Sequence, residues 1–344
     1  MRYFPTHSFR LLTTTLAAGS LVLAGCGGGD DANGTDSPAA EPGASNSHTM
    51  GDPDTWPLTG LPVESGASSE QKHPALVLKM DNTAASAPQE GLGSADLVVE
   101  ELVEGGMTRL AAFYYSDIPG NVGPVRSMRA SDIGIVSPVG GSMVTSGAAD
   151  VTLQRIKDAG IDYYSEGSPG FFRASGRSAP YNLFTDLGEV AENAAHPKTR
   201  PDDYLPWGSD DDLPQGRAAT SLSATFSGGH TTSWVFRDGG YVNENSYAAE
   251  GDEFPADTVL VLRVPVGDAG YTDPAGNPVP ETQFEGKGDA MVFHDGRLVR
   301  GTWSKKNLDS VVTLSTKAGD LKVPAGRVWV ELVPDDSGDV TFAK

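Results

Sequence analysis

The sequence predicts an α+β (or α/β) protein, with a mixed N-terminal domain followed by a strand-rich C-terminal domain. Three observations predict it. Short apolar runs bounded by turn residues recur at 75–80, 97–103 and 107–115; helix start and stop signals frame 150–160 and 186–197; beyond residue 219 only strand patterns remain.

Taken in order, the first 25 residues read as a signal peptide. Arg2 and Arg10 supply a positive start, and 11–24 is an apolar stretch too short to span a bilayer. Leu23-Ala24-Gly25 then precedes Cys26. Small residues before a lone cysteine are what lipoprotein processing requires, so Cys26 is expected to be lipidated and to hold the chain on the extracytoplasmic face of the cell membrane. Residues 26–55 are Gly, Ala, Ser, Asp and Pro with almost no large apolar side chain, the composition of a disordered tether with a reach of roughly 30 Å.

The N-terminal domain is expected over 56–200. Residues 75–80 read as a buried strand, and 97–103 with 107–115 as a hairpin joined across Glu104-Gly105-Gly106. A strand at 143–145 follows, then a helix opening at Asp150, with Leu153 and Ile156 on one face and Gly160 as its stop. A second helix opens at Asp186, with Glu189 placed for a capping box, and breaks at His196-Pro197. Residues 201–218, rich in Pro and Asp, read as a connector. In the C-terminal domain, 219–344, Asp238-Gly239-Gly240 and Asp295-Gly296 mark hairpin turns, and 259–264, 311–314 and 328–333 add strands. Trp303 and Trp329 sit in apolar patterns that place them in the core.

The formal charge is −21, and removal of the signal takes two more cations, which disfavours nucleic acid and anionic lipid head groups as partners. The single cysteine excludes an intramolecular disulfide, a cysteine metal cluster and a catalytic thiol. The six histidines show no zinc spacing, and Asp210-Asp211-Asp212 lacks the pattern of a calcium loop. The sequence thus implies no metal and no cofactor.

Many spaced motifs resemble one family. They are 57–63 (PLTGLPV), Met80-Asp81-Asn82, the run 88–109 with Val103-Glu104-Gly105-Gly106 and Thr108-Arg109, 123–127 (GPVRS) with Arg129, Ala179-Pro180 with Asn182-Leu183, Asp295-Gly296, Gly301-Thr302-Trp303 and Trp329-Val330-Glu331. On these the chain resembles the YerB-like bacterial lipoproteins, which are built from N- and C-terminal parts of unknown function. One departure is Tyr181, where the family commonly has histidine. The resemblance implies an envelope lipoprotein and no particular reaction.

Candidate ligand-binding residues gather in the N-terminal domain: Asp81, Asn82, Glu100, Glu104, Arg109, Arg126 and Arg129, with Arg173, Arg177 and Asn182 among the aromatics Phe171, Phe172, Tyr181 and Phe184. Arginines among carboxylates form either an internal ion-pair network or a fork for an anionic ligand. Glu101, facing away from Glu100, is expected to be solvated. Glu100 and Glu104 are of the type that performs glycoside hydrolysis, but four residues along a strand separate them by about 13 Å. The expected function is a non-catalytic binding or scaffolding protein of the envelope, recognising a wall fragment, a small anion or a partner protein; the alternative is a cell-wall hydrolase.

Overall fold

Strand alternation in the first apolar runs decides which polar side chains end up together. The computed structural model describes residues 52–344 except Ser65 and Lys198. The predicted signal, Cys26 and all of the tether before residue 52 lie outside the described residues.

Strands β1 (Leu76–Asp81), β2 (Leu97–Leu102) and β3 (Thr108–Tyr114) pair antiparallel in the order β2-β3-β1, with nearly every residue buried. β2 and β3 are the predicted hairpin. It turns through Glu104–Gly106, where Gly105 and Gly106 adopt φ of 71° and 72°, a conformation that a Cβ would strain.

Helix α1 (Asp132–Val136), strand β4 (Ser142–Val144), helix α2 (Asp150–Asp158), strand β5 (Tyr163–Tyr164) and helix α3 (Leu187–Asn193) follow. In α2 Ile156 is buried as expected, while Ala149 rather than Asp150 holds the N-cap position. Asp186 caps α3 by accepting from the Glu189 N–H at 3.1 Å. The helices are short, so the architecture is mainly sheet rather than an even mixture. Local capping signals announce a helix without fixing its length.

The main C-terminal strands are β6 (Ser221–Ser227), β7 (His230–Arg237), β8 (Gly240–Asn243), β9 (Thr258–Val264), β10 (Gly286–His294), β11 (Arg297–Lys305), β12 (Thr313–Thr316), β13 (Gly319–Leu321), β14 (Val328–Pro334) and β15 (Asp339–Ala343). The turns Asp238-Gly239 and Asp295-Gly296 both take positive φ at each residue, the two-residue hairpin geometry that their sequence announces. The strand expected at 311–314 begins two residues later.

One sheet runs β13-β12-β11-β10-β9-β14-β2-β3-β1-β4-β5, with the short strand Arg217–Ala218 added to β11. Its centre is parallel: β14 lies between β9 and β2, with Val328 opposite both Thr258 and Leu97. Strands from both sides of 201–218 therefore share the sheet, and that segment buries Tyr204 and Leu205. A second sheet, β8-β7-β6-β15, covers one face through Leu222, Phe226 and Trp234; α1, α2 and Tyr204 cover the other. Trp303 and Trp329 are both core residues. Among the described residues no helix is long and apolar enough to cross a membrane.

Candidate functional site

Alternation along β1, β2 and β3 divides the expected polar cluster between the two faces of the sheet. Asp81 is registered with Arg109, and Arg109 with Glu101, so these three share one face with Lys79. Asn82, Glu100 and Thr108 belong to the other.

On that second face, under the small sheet, Glu100 is fully buried. It accepts from Asn82 Nδ2 at 3.0 Å, Thr108 Oγ1 at 2.7 Å, Thr232 Oγ1 at 3.0 Å and Trp329 Nε1 at 3.2 Å, and pairs with His230 Nε2 at 2.9 Å. Its neighbour across the parallel ladder is Glu331, also fully buried, which accepts from Trp234 Nε1 at 2.8 Å. Burial, reinforced by the Glu100 charge, raises the Glu331 carboxyl well above its ordinary range. For Glu100 burial alone would do the same, but the bond and charge of His230 and the Thr108 bond outweigh it and hold this carboxyl low. Burial opposes charge on His230; the bond and charge of Glu100 outweigh that and raise it. The two carboxyls are therefore shifted in opposite directions, Glu331 upward and Glu100 downward. This is a sealed polar core.

On the first face, Lys79 is fully buried and pairs with Glu101, and with Asp132 at 2.8 Å. Glu101 is thus not solvated as expected. Burial raises its carboxyl despite the Lys79 charge, and Asp132 adds to the rise. A lone charge inside the apolar run 76–80 was the sequence signal for this triad, just as Glu331 inside 328–333 was for the other.

The arginines lie beyond Lys79, at the end of β1. Segment 123–127 runs beside that end, with the Arg126 N–H donating to the Lys79 carbonyl at 2.8 Å. Glu104 accepts from Arg109 Nη2 at 2.9 Å and from Arg129 through both Nε, at 2.9 Å, and Nη2. Arg109 also donates to the Ser127 carbonyl at 2.7 Å, and Arg129 to that of Met128 at 2.9 Å. Burial would raise the Glu104 carboxyl; the Arg129 bond and both guanidinium charges overcome this and lower it. Arg109, squeezed by burial and by the Arg129 charge, is lowered to about 10.

Arg126 differs from both. Its Nε stands 2.7 Å from Asp81 Oδ2, its side chain is 21 % exposed, and its guanidinium lies 5.3 Å from the centre of the Tyr181 ring. Among the described residues neither terminal nitrogen of Arg126 has an acceptor. Asp81 is meanwhile held by the Thr83 N–H at 3.0 Å and Oγ1 at 2.5 Å.

The outer residues are committed internally. Arg173 grips Glu166 through Nε at 2.7 Å and Nη2 at 2.5 Å, and donates to Asn182 Oδ1 at 2.7 Å. Arg177 donates to the carbonyls of Ser86 and Pro88 and lies over Phe184. Among the described residues no group of three or more His, Cys, Asp or Glu side chains could hold a metal ion. Two shallow concavities, of about 520 and 550 Å³, lie elsewhere, beside Arg217. The Arg126 fork is instead only partly exposed, and its significance rests on its unpaired terminal donors rather than on a cavity.

Residues 58–200 match the N-terminal domain, and residues 222–330 the C-terminal domain, described as a protein of unknown function (DUF3048). The chain belongs to this family. Over 291 residues it is 24% identical to "Putative lipoprotein YerB" of Bacillus subtilis (strain 168), a match taking in 81% of this chain and 86% of that one. It is similar in fold to the crystal structure of the YerB protein from Bacillus subtilis, with a TM-score of 0.69 at 20% identity over 83% of this chain and 99% of that chain. The resemblance drawn from the spaced motifs is thereby borne out. Three of those motifs, 103–109, 123–129 and 179–183, are the segments that bring Glu104, Arg109, Arg126, Arg129 and Tyr181 together.

Proposed function

We propose that the chain is an envelope lipoprotein, anchored through a lipidated Cys26, that binds an anionic wall fragment or an anionic partner group at Arg126 without catalysing a reaction. One observation carries the reading: Arg126 presents an unused guanidinium fork beside an aromatic ring, at the margin of a network whose other arginines are spent on Glu104. Such a fork meets a carboxylate or phosphate bidentately. The name of the Bacillus relative, a lipoprotein, agrees with the signal and Cys26 read from this sequence.

The hydrolase alternative requires two carboxylates converging on an open cleft. Glu100 is sealed under the small sheet, on the opposite face from the arginines, and Glu104 is already gripped by two of them. That arrangement favours binding over glycoside cleavage.

The test titrates the full chain and its Arg126→Gln variant with the soluble fragments of lysozyme-digested peptidoglycan, and partitions a Cys26→Ala variant between detergent and water. Binding by the parent, loss of about tenfold or more in the Arg126 variant, and a shift of the Cys26 variant out of the detergent phase are expected. Cleavage of the fragments that disappears in a Glu104→Gln variant would sink the reading.

A further inference from the structure

The concavities beside Arg217 share a second, unrelated charge feature. Segment 214–218 is pressed against the edge of β11: a Cβ on Gly216 would stand 2.5 Å from the Leu298 carbonyl oxygen. β11 pairs with Arg217–Ala218 at residues 297 and 298 and with β12 at 302–304, and neither ladder extends to 299 or 300. This break in the sheet edge forms a notch, and the two concavities that adjoin it both have Arg217 in their walls.

Arg300 and Lys317 line the larger concavity with Arg217, and none of the three has a carboxylate partner among the described residues. Lys344 lines the smaller one. Arg300 is steadied by Phe342, whose ring centre lies 5.6 Å from the guanidinium. The two linings together hold fourteen residues, four with cationic side chains and none Asp or Glu. With 46 acidic residues in 344, a lining of that size drawn at random would hold about two. The sign of the charge is inverted here.

We infer that this notch binds a ligand carrying several phosphate groups in a row. Two guanidinium forks and an ammonium, spread over two lobes, match successive phosphates, and the apolar floor of Leu298, Val299 and Phe342 suits the carbon links between them. The −21 charge of the whole chain does not forbid this, because charges more than about 8 Å away are largely screened at physiological salt. The notch is separate from Arg126: β11 and β1 stand six positions apart in the sheet, roughly 29 Å at about 4.8 Å per strand.

Phosphate groups in a row occur in phosphate polymers, joined by anhydride or diester links, and single ones in anionic lipid head groups. Isothermal titration of the full chain with linear polyphosphate and with glycerophosphoglycerol, a soluble head group, separates these sources. Polyphosphate is expected to bind; a variant with Arg217→Gln, Arg300→Gln and Lys317→Gln, all exposed positions, should keep the parent melting temperature and bind about tenfold or more weakly. The slope of log affinity against log salt should flatten by about one for each cation that contacts phosphate. Polyphosphate binding that is lost in the triple variant but retained in Arg126→Gln places it at the notch; binding lost only in Arg126→Gln overturns this inference and leaves the function proposed above standing. Binding of polyphosphate alone assigns a polymer, and binding of both probes a shared phosphate site; binding of the head group alone, of neither, or equal binding by the triple variant overturns the inference.

Discussion

Arg109, Arg126 and Arg129 share two carboxylates, Asp81 and Glu104, so one guanidinium charge is left in excess, and the geometry places the spare donors on Arg126. The three arginines should therefore respond differently to replacement by Gln. Arg129→Gln removes both bonds that hold Glu104 from that side and the donor to the Met128 carbonyl. It should cost about 2–4 kcal/mol, the lower side of a fully buried pair because Glu104 is partly solvated. Arg109→Gln leaves Glu104 gripped by Arg129 and should cost about 1–3 kcal/mol. Arg126→Gln leaves Asp81 its Thr83 donors and should cost about 1 kcal/mol or less. Chemical denaturation of the three variants checks the order, and an Arg126 variant as unstable as the Arg129 one would make Arg126 part of the scaffold. The arginines were legible in the sequence because guanidinium groups cluster there in a strongly acidic chain. That Arg129 joins Arg109 on Glu104 was not, since that depends on where Glu104 turns after β2.

At the scale of elements, hairpin turns and apolar runs were legible because each is a local pattern: Asp-Gly sets its own backbone, and alternation sets its own face. The pairing of β2 with β14 was not, since more than two hundred residues separate Glu100 from its neighbour Glu331. The carboxyl pair created by that pairing has a pH signature. Glu331 keeps its proton in the folded state above the pH at which it is lost from the unfolded chain. The folded state then binds more protons, so stability declines as pH rises from the ordinary Glu value, about 4.3, toward the raised folded value. Glu100 acts in the opposite sense, with stability lost as pH falls below the ordinary Glu value, and His230, raised, adds a loss as pH rises through its own range. Glu331→Gln retains an acceptor for Trp234 and a donor toward Glu100 but cannot titrate. The stability of the variant minus that of the parent should increase as pH rises above the ordinary Glu value, by up to about 1.4 kcal/mol per unit. A difference that stays flat across that range in urea denaturation would show that Glu331 does not titrate as the buried geometry requires.

The whole molecule is organised around β14, which is the last long strand to be made and lies at the centre of the large sheet. Through it β2 reaches β9, so the N-terminal strands complete their hydrogen bonding only when residues near the C-terminus arrive. The two faces depend on both halves as well: Val98 and Leu78 pack in one cluster with Phe226, Trp234 and Trp329, and Val99 and Phe113 in the other with Leu260 and Leu332. A chain ending at residue 200 would leave β2 as an open edge with buried apolar side chains exposed on both faces, a surface that invites aggregation. It would also leave Glu100 without Trp329 and His230, two of the groups that stabilise its charge. The two family segments, 58–200 and 222–330, should accordingly behave as parts of one cooperative unit. Residues 52–200 expressed alone are expected to lack a cooperative thermal transition and to elute as aggregate on gel filtration. Co-expression with residues 201–344 should restore a soluble one-to-one complex with near-parental melting. A sharp melt of the isolated N-terminal segment, with dispersed amide signals in its NMR spectrum, would show instead that β14 joins a sheet already folded without it.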